Sequence, residues 1–369
     1  MMPSGESATA SRPFRVAVLF SRLSGYAGAC LKALSELHGV DLLVIRTPQA
    51  ENAPFEDRYF DWIGALYDRS RLRASEMSSI ITEFAPDALY VSGWFDRDYL
   101  RIARQQKQRG TFVVAGVDRQ WLGTPRQHLS RLVAPRYLHS AFHVLWTAGE
   151  RQRQLASRLG YRGDRCWSGV YACDWDSFAG AYYSAESRLE KAFLYVGRYI
   201  QVKGIQTLLE AYDRYRKRAS EPWSLICSGA GEFGARIRSQ AGVVDVGFTQ
   251  PDRLPELMAT ASAFVLPSLR EPWGVVVQEA AAAGLPLICS DACGAAVHLL
   301  QDEYNGFLVE SGNPEQLARS FERMASLTSE RWDEMSRNSH ELSRQFTPRR
   351  WADTFVSGVE RHRKQRSET

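Results

Sequence analysis

Two carboxylates and two cations stand where they can do chemistry. Glu271 lies in the run Leu-Arg-Glu-Pro-Trp-Gly, and Glu279 follows seven intervening residues later, inside an alanine-rich run that Gly284 closes. Arg198 follows Gly197, and Lys203 precedes Gly204. Carboxylates accept hydrogen bonds from hydroxyls, whereas a guanidinium beside an ammonium suits a diphosphate. Unpaired backbone N–H groups around Gly274 to Val277, at a helix start, offer a further place for an anion. These residue types point to a phosphate-bearing molecule with hydroxyls. A structural loop with two solvated acids is the alternative that the same segment allows.

The elements that must position these groups follow from apolar runs and their breaks. Ala263 to Ser268 and Leu285 to Ser290 read as strands on either side of the helix that carries Glu279. Upstream, Phe193 to Arg198, Ser224 to Ser228 and Val243 to Phe248 read as strands, with helices over Gly204 to Lys217 and around Leu254 to Thr260. The N-terminal part repeats this alternation. Arg15 to Phe20, Val40 to Ile45, Ala88 to Val91 and Thr111 to Val117 are strands, a glycine loop at Gly25 opens a helix to about Leu37, and another helix runs from about Asp98 to Gln108. The region from Pro48 to Arg69 reads as loop and helix. Strands alternating with helices predict an α/β fold with mainly parallel sheets. We divide the chain into a first domain over 1–173, a linker over 174–189, a second domain over 190–347 and a C-terminal helix over 348–369 that packs back on the first domain, with Trp351 and Phe355 on its apolar side. Parallel strands end on one side, so Arg198, Lys203, Glu271 and Glu279 meet at one sheet edge.

Composition narrows the classes. A chain of 369 residues exceeds what one core holds, and a net charge of +4 does not call for nucleic acid. No apolar run spans a bilayer, and the polar segment up to Pro13 lacks a secretory core, so a cytoplasmic location is expected. Six cysteines without a CxxC pair suggest reduced thiols and no metal site. Arg97, Arg101, Arg104 and Arg109, then Arg126, Arg131 and Arg136 among Leu129, Leu132 and Val133, form a face that suits an anionic acceptor or a peripheral contact with a membrane surface, against the plainer reading of a solvated face. Two Asp-x-Asp runs, Asp96 to Asp98 and Asp174 to Asp176, are set aside as metal sites, since Asp98 reads as a helix cap and the second falls in the linker. Gly229 to Gly234 spells GxGxxG, yet it sits in the second strand-helix unit of the second domain, and Asp245 comes too early for a ribose-binding acid.

Taken together, Gly197-Arg198 through Lys203-Gly204 and Glu271-Pro272-Trp273-Gly274 through Glu279-Ala280 resemble the motifs of the retaining glycosyltransferases of family 4, with their Glu-x7-Glu pattern. Ser168 to Tyr171 and Asn305 to Val309 fit the same frame. The resemblance implies a GT-B architecture, two Rossmann-like doubly wound domains facing a central cleft. It implies a metal-independent enzyme with no cofactor, taking a UDP- or GDP-linked sugar as co-substrate and a carbohydrate, lipid-linked or small-molecule acceptor. Arg198 and Lys203 would clamp the diphosphate, Glu271 would contact sugar hydroxyls, and Glu279 would bind the ribose. Gly25, Gly197, Gly229, Gly231, Phe248, Trp273, Gly274 and Val275 would surround the donor. The sequence departs from the family at Asp118, where a histidine is usual near the reacting carbon, and at Trp273 and Ser24. A nucleotide-sugar epimerase and a non-catalytic nucleotide-sugar binder are the competing readings, with an oxidoreductase further off.

Overall fold

The computed structural model describes residues 12–48, 55–184 and 191–367. The first domain is built on seven parallel strands: β1 (Arg15–Phe20), β2 (Asp41–Arg46), β3 (Ala65–Asp68), β4 (Ala88–Val91), β5 (Phe112–Val117), β6 (Val144–Thr147) and β7 (Cys166–Ser168), in the spatial order β3-β2-β1-β4-β5-β6-β7. The second holds six: β8 (Ala192–Val196), β9 (Ser224–Ser228), β10 (Val243–Gly247), β11 (Ala263–Leu266), β12 (Leu287–Ser290) and β13 (Gly306–Val309), in the order β10-β9-β8-β11-β12-β13. Every pairing is parallel. The apolar runs form strands because helices cover both faces of each sheet, so neither face of a central strand needs polar residues. Val16 to Leu19 and Ala263 to Leu266 are fully buried for this reason.

Strand order reverses between β1 and β4 in the first sheet and between β8 and β11 in the second. Adjacent loops diverge at such a point and leave a crevice beyond the carboxyl ends of the strands. Arg198 and Lys203 follow β8, and Glu271 follows β11, so the sequence candidates flank the reversal of the second sheet.

Two expectations are corrected, and the linker is seen to contain a helix. Within Pro48 to Arg69 the chain forms the edge strand β3 and a short 3-10 turn, Asp57–Phe60; Ala65 to Asp68 escapes the apolar pattern because no residue of this outermost strand is buried. The expected linker holds a helix, Trp175–Ser184, packed against the second-domain helices Leu254–Thr260 and Val275–Ala282. Residues 185–190 lie outside the described residues. Finally, Asp96 and not Asp98 caps the helix Arg97–Gln108, accepting from the N–H groups of Asp98 and Tyr99. Asp98 instead receives Arg69 Nη2 at 2.7 Å.

The C-terminal helix, Pro348–Ser367, lies on the first domain against the helix Gly25–His38. The Trp351 ring stacks on Trp146 with centroids 4.8 Å apart, and its Nε1 donates to the Val170 carbonyl at 2.9 Å. Phe355 and Val359 continue the buried stripe. Each such side chain contributes about 1.5 to 3 kcal/mol, enough to tie the end of the chain to the domain where it began.

Candidate functional site

A cavity of about 600 Å³ lies between the two carboxyl edges. The second domain lines it with Gly197, Arg198 and Lys203 after β8, Gly229 after β9, Phe248 after β10, and Glu271 through Val276 and Glu279 after β11. The first domain supplies Arg22 to Tyr26 after β1, Asp118 after β5 and Tyr171 after β7. Thus every sequence candidate except Gly231 borders one cavity. A Cβ on Gly231 would stand 2.6 Å from the Tyr199 carbonyl oxygen, so this glycine serves the packing of the loop behind the site. At Gly229 a Cβ would stand 1.9 Å from the Gly197 carbonyl oxygen, which permits only glycine and brings the loops after β8 and β9 together.

The charges are arranged in opposite ways. Lys203 and Glu271, both largely buried, form a direct ion pair across the switch point. The exposed Arg198 makes no ion pair among the described residues and is free to meet an incoming anion. Glu279 sits in the second turn of the helix Val275–Ala282. Burial raises its pKa to about 7, with further repulsion from Asp174. Its charge is therefore unfavourable until a hydroxyl or cation arrives. Trp273 borders the cavity, but its ring is buried in the seam between the domains, 5.4 Å from Phe346 and 5.6 Å from His298. A Cβ on Gly149 would stand 2.4 Å from that ring, so the seam closes only over a glycine.

On the first-domain side Asp118 and Tyr171 border the cavity together, and Tyr171 packs edge-on against Tyr26 at 5.1 Å. Burial, first, and nearby Tyr26 and Asp118 push the Tyr171 hydroxyl well above its ordinary pKa, so it stays a proton donor. Two glutamines that the motifs do not single out join the domains. Gln152 Nε2 donates to the Asp118 carbonyl at 3.0 Å and to the Pro272 carbonyl at 2.5 Å. Gln278 accepts from Cys173 N at 3.1 Å and donates to the Tyr171 carbonyl at 3.0 Å. Their signal is absent from sequence spacing because each acts on the backbone of a distant segment.

Asp245 is occupied elsewhere, accepting from the Tyr199 hydroxyl at 2.8 Å and from Arg238 at 3.1 Å. The GxGxxG segment thus lacks a ribose-binding acid of its own. Among the described residues no group of three or more His, Cys, Asp and Glu side chains is arranged to hold a metal ion, and no helix is long and apolar enough to cross a membrane.

Residues 184–341 match the sequence model of the family described as glycosyl transferases group 1. An uncharacterized glycosyltransferase of Methanocaldococcus jannaschii is 34% identical over a stretch covering 37% of this chain and 36% of that protein. A D-inositol 3-phosphate glycosyltransferase of Salinispora arenicola is 31% identical over 35% of this chain and 32% of its own length. The chain thus spans about a third of the length of these two relatives. Among solved structures, a glycosyltransferase of Rickettsia africae superposes with a TM-score of 0.74 at 13% identity, covering 95% of this chain and 99% of that one. HepE of Anabaena, solved in complex with UDP, superposes with a TM-score of 0.69 at 16% identity, covering 96% of this chain and all of the other. Two all-parallel α/β domains meeting over a shared cavity, with these neighbours, give the chain the GT-B fold, and the match to the glycosyl transferases group 1 model falls mainly on its second domain.

Proposed function

We propose that the chain is a retaining, metal-independent glycosyltransferase that moves a sugar from a UDP- or GDP-linked donor to a carbohydrate, lipid-linked or small-molecule acceptor. The observation that carries this reading is the convergence of Arg198, Lys203, Glu271 and Glu279 on one cavity at the switch point of the second sheet. Arg198 and Lys203 hold the diphosphate and stabilise the negative charge that grows on it as the sugar leaves. Glu271 meets sugar hydroxyls, and Glu279 takes those of the ribose, which relieves the cost of its buried charge. In the reaction the bond between the anomeric carbon and the diphosphate oxygen breaks. The acceptor oxygen bonds to that carbon on the same face, and the acceptor proton passes to the departing diphosphate. Asp118, beside Tyr171, stands on the opposite wall and orients a hydroxyl of sugar or acceptor.

A thermal-shift panel of UDP, GDP, their sugars and NAD tests this, because a ligand at a hundred times its Kd stabilises by about 2.7 kcal/mol. One nucleotide diphosphate and one of its sugars are expected to raise the melting temperature, and that donor to turn over with an acceptor. A response to NAD in preference to UDP and GDP would sink the reading. Turnover of the donor to an epimer without acceptor would replace it by the epimerase.

A further inference from the structure

The helix Pro125–Tyr137 departs from the packing rule that the other helices obey. Of its 13 residues only Ala134 is buried. Its apolar side chains point to water: Leu129 is 61%, Leu132 77% and Val133 49% exposed. Spaced at i, i+3 and i+4 they share one face, and at 100° per residue Leu132 lies about 160° from Ala134. Leu122, 55% exposed in the preceding loop, extends the stripe. Exposed Arg126 and Arg136 stand among these residues and form no ion pair among the described residues. An amphipathic helix normally turns its apolar side to the core. Here the leucine face is the one left open.

Beside it lies a second, separate feature. A shallow cavity of about 560 Å³ between this helix and the helix Glu150–Arg158 is lined by Arg131, Arg153, Arg158 and Arg162 against one acid, Glu150. Arg153 reaches that acid only at 3.8 Å. Arg158 lies over the Trp121 ring at 4.7 Å, and Arg162 donates to Ser157 at 3.1 Å, so neither is neutralised. Guanidinium groups held around a hollow match the fork geometry of phosphate oxygens. Arg131 belongs to both features.

We infer that the Pro125–Tyr137 helix and the arginine cavity beside it form a docking surface for an anionic phospholipid bilayer. Leu129, Leu132 and Val133 enter the boundary between headgroups and acyl chains, and the arginines take headgroup phosphates. Charge complementarity selects this occupant: apolar residues interleaved with arginines, and four cations against one carboxylate, suit a surface both oily and anionic. The loop that leads into this helix begins at Asp118, so the bilayer would lie beside the first-domain mouth of the cleft. The inference does not depend on the donor site, because docking needs no turnover.

Co-sedimentation of the full chain with phosphatidylcholine vesicles, with and without about one third phosphatidylglycerol, tests it. Binding is expected on the anionic vesicles, about tenfold or more weaker on phosphatidylcholine alone and weakened by salt. Leu129→Ser/Leu132→Ser and Arg153→Ser/Arg162→Ser should each weaken it about tenfold with unchanged melting temperature, since all four side chains are exposed. No binding to anionic vesicles, or binding at the wild-type level by either variant, overturns the inference. So does a wild-type dimer in light scattering that Leu129→Ser/Leu132→Ser converts to monomer, which would make a second copy the occupant.

Discussion

The two domains share one scaffold and use their cleft edges differently. In the second, the loops after β8, β9 and β11 are held together by glycines, and a charge that no ligand has yet met is already balanced, Lys203 by Glu271. In the first, the edge is made of Asp118, Tyr171 and Tyr26, and the next helix turns leucines to water. The strands are alike because burial on both faces allows little else. Under the proposed function, the loops differ because each edge meets its own partner. A densely charged edge suits one fixed anionic ligand, whereas an aromatic and hydroxyl-lined wall beside an open apolar helix leaves the other substrate free to vary.

The sharpest way to break this contrast is Lys203→Ala. We expect turnover to fall about a thousandfold, since a cation at the leaving group is lost. Stability should fall too, by roughly 2 to 4 kcal/mol, because Glu271 is left largely buried without its partner. Adding Glu271→Gln should restore the melting temperature but not the rate. Transfer at the wild-type rate in Lys203→Ala would end the assignment of the charged edge. Arg198→Ala separates the two effects. Its side chain is exposed, so turnover should drop about a hundredfold while stability stays within about 0.5 kcal/mol. A loss of stability equal to that of Lys203→Ala would show that Arg198 is structural.

Glu279 gives a smaller effect that depends on pH. Its pKa is about 7 in the folded chain against an ordinary 4.5, raised first by burial and then by Asp174. Between these values the folded state holds more protons than the unfolded one, so this residue makes stability fall as pH rises from 4.5 to 7, with the full cost present above 7. Glu279→Gln should therefore stabilise the ligand-free protein at pH 8, by roughly 1 to 3 kcal/mol, and hardly at all at pH 4.5. Thermal melts across that range check it. A uniform shift at all pH values would mean that the carboxylate is not strained by burial.

Much of this architecture is legible in the residues. The apolar runs at Arg15 to Phe20 and Ala263 to Ser268 fall within a residue or two of the observed strands, and Asn313, just before Pro314, caps its helix by accepting from Gln316 N at 3.0 Å. Of the candidate site, Arg198, Lys203, Glu271 and Glu279 are readable because each is held by its own short motif, and a parallel sheet then brings the motifs to one edge. What escapes is whatever depends on two distant segments meeting. β3 has no apolar alternation to announce it, and the helix Trp175–Ser184 has small and aromatic residues that only its contacts organise. Gln152 and Gln278 bond to carbonyl and N–H groups, which carry no side-chain signature. The Lys203–Glu271 pair is likewise invisible, since 68 residues separate two groups that spacing alone assigns to different parts of a ligand.

The mildest test addresses the seam where the two edges touch. A Cβ on Gly25 would stand 2.9 Å from Pro251 Cβ, on the opposite domain, so a methyl group there must push the edges apart by several tenths of an ångström. Nearby, Arg58 meets Asp252 at 3.1 Å, and Phe55 meets Phe248 edge-on at 5.5 Å. Gly25 opens its helix with an ordinary negative φ, so alanine costs the helix nothing and adds up to about 0.5 to 1 kcal/mol of local preference. Gly25→Ala should therefore melt no lower than the wild type, yet bind the donor roughly threefold to tenfold more weakly, because the charged edge must close against a wall held slightly away. Isothermal titration with the nucleotide diphosphate alone and with its sugar separates the causes. An equal loss for both would place the strain at the phosphates beside Gly25. A loss confined to the sugar would place it at Asp118, on the wall where the contrast between the domains is greatest.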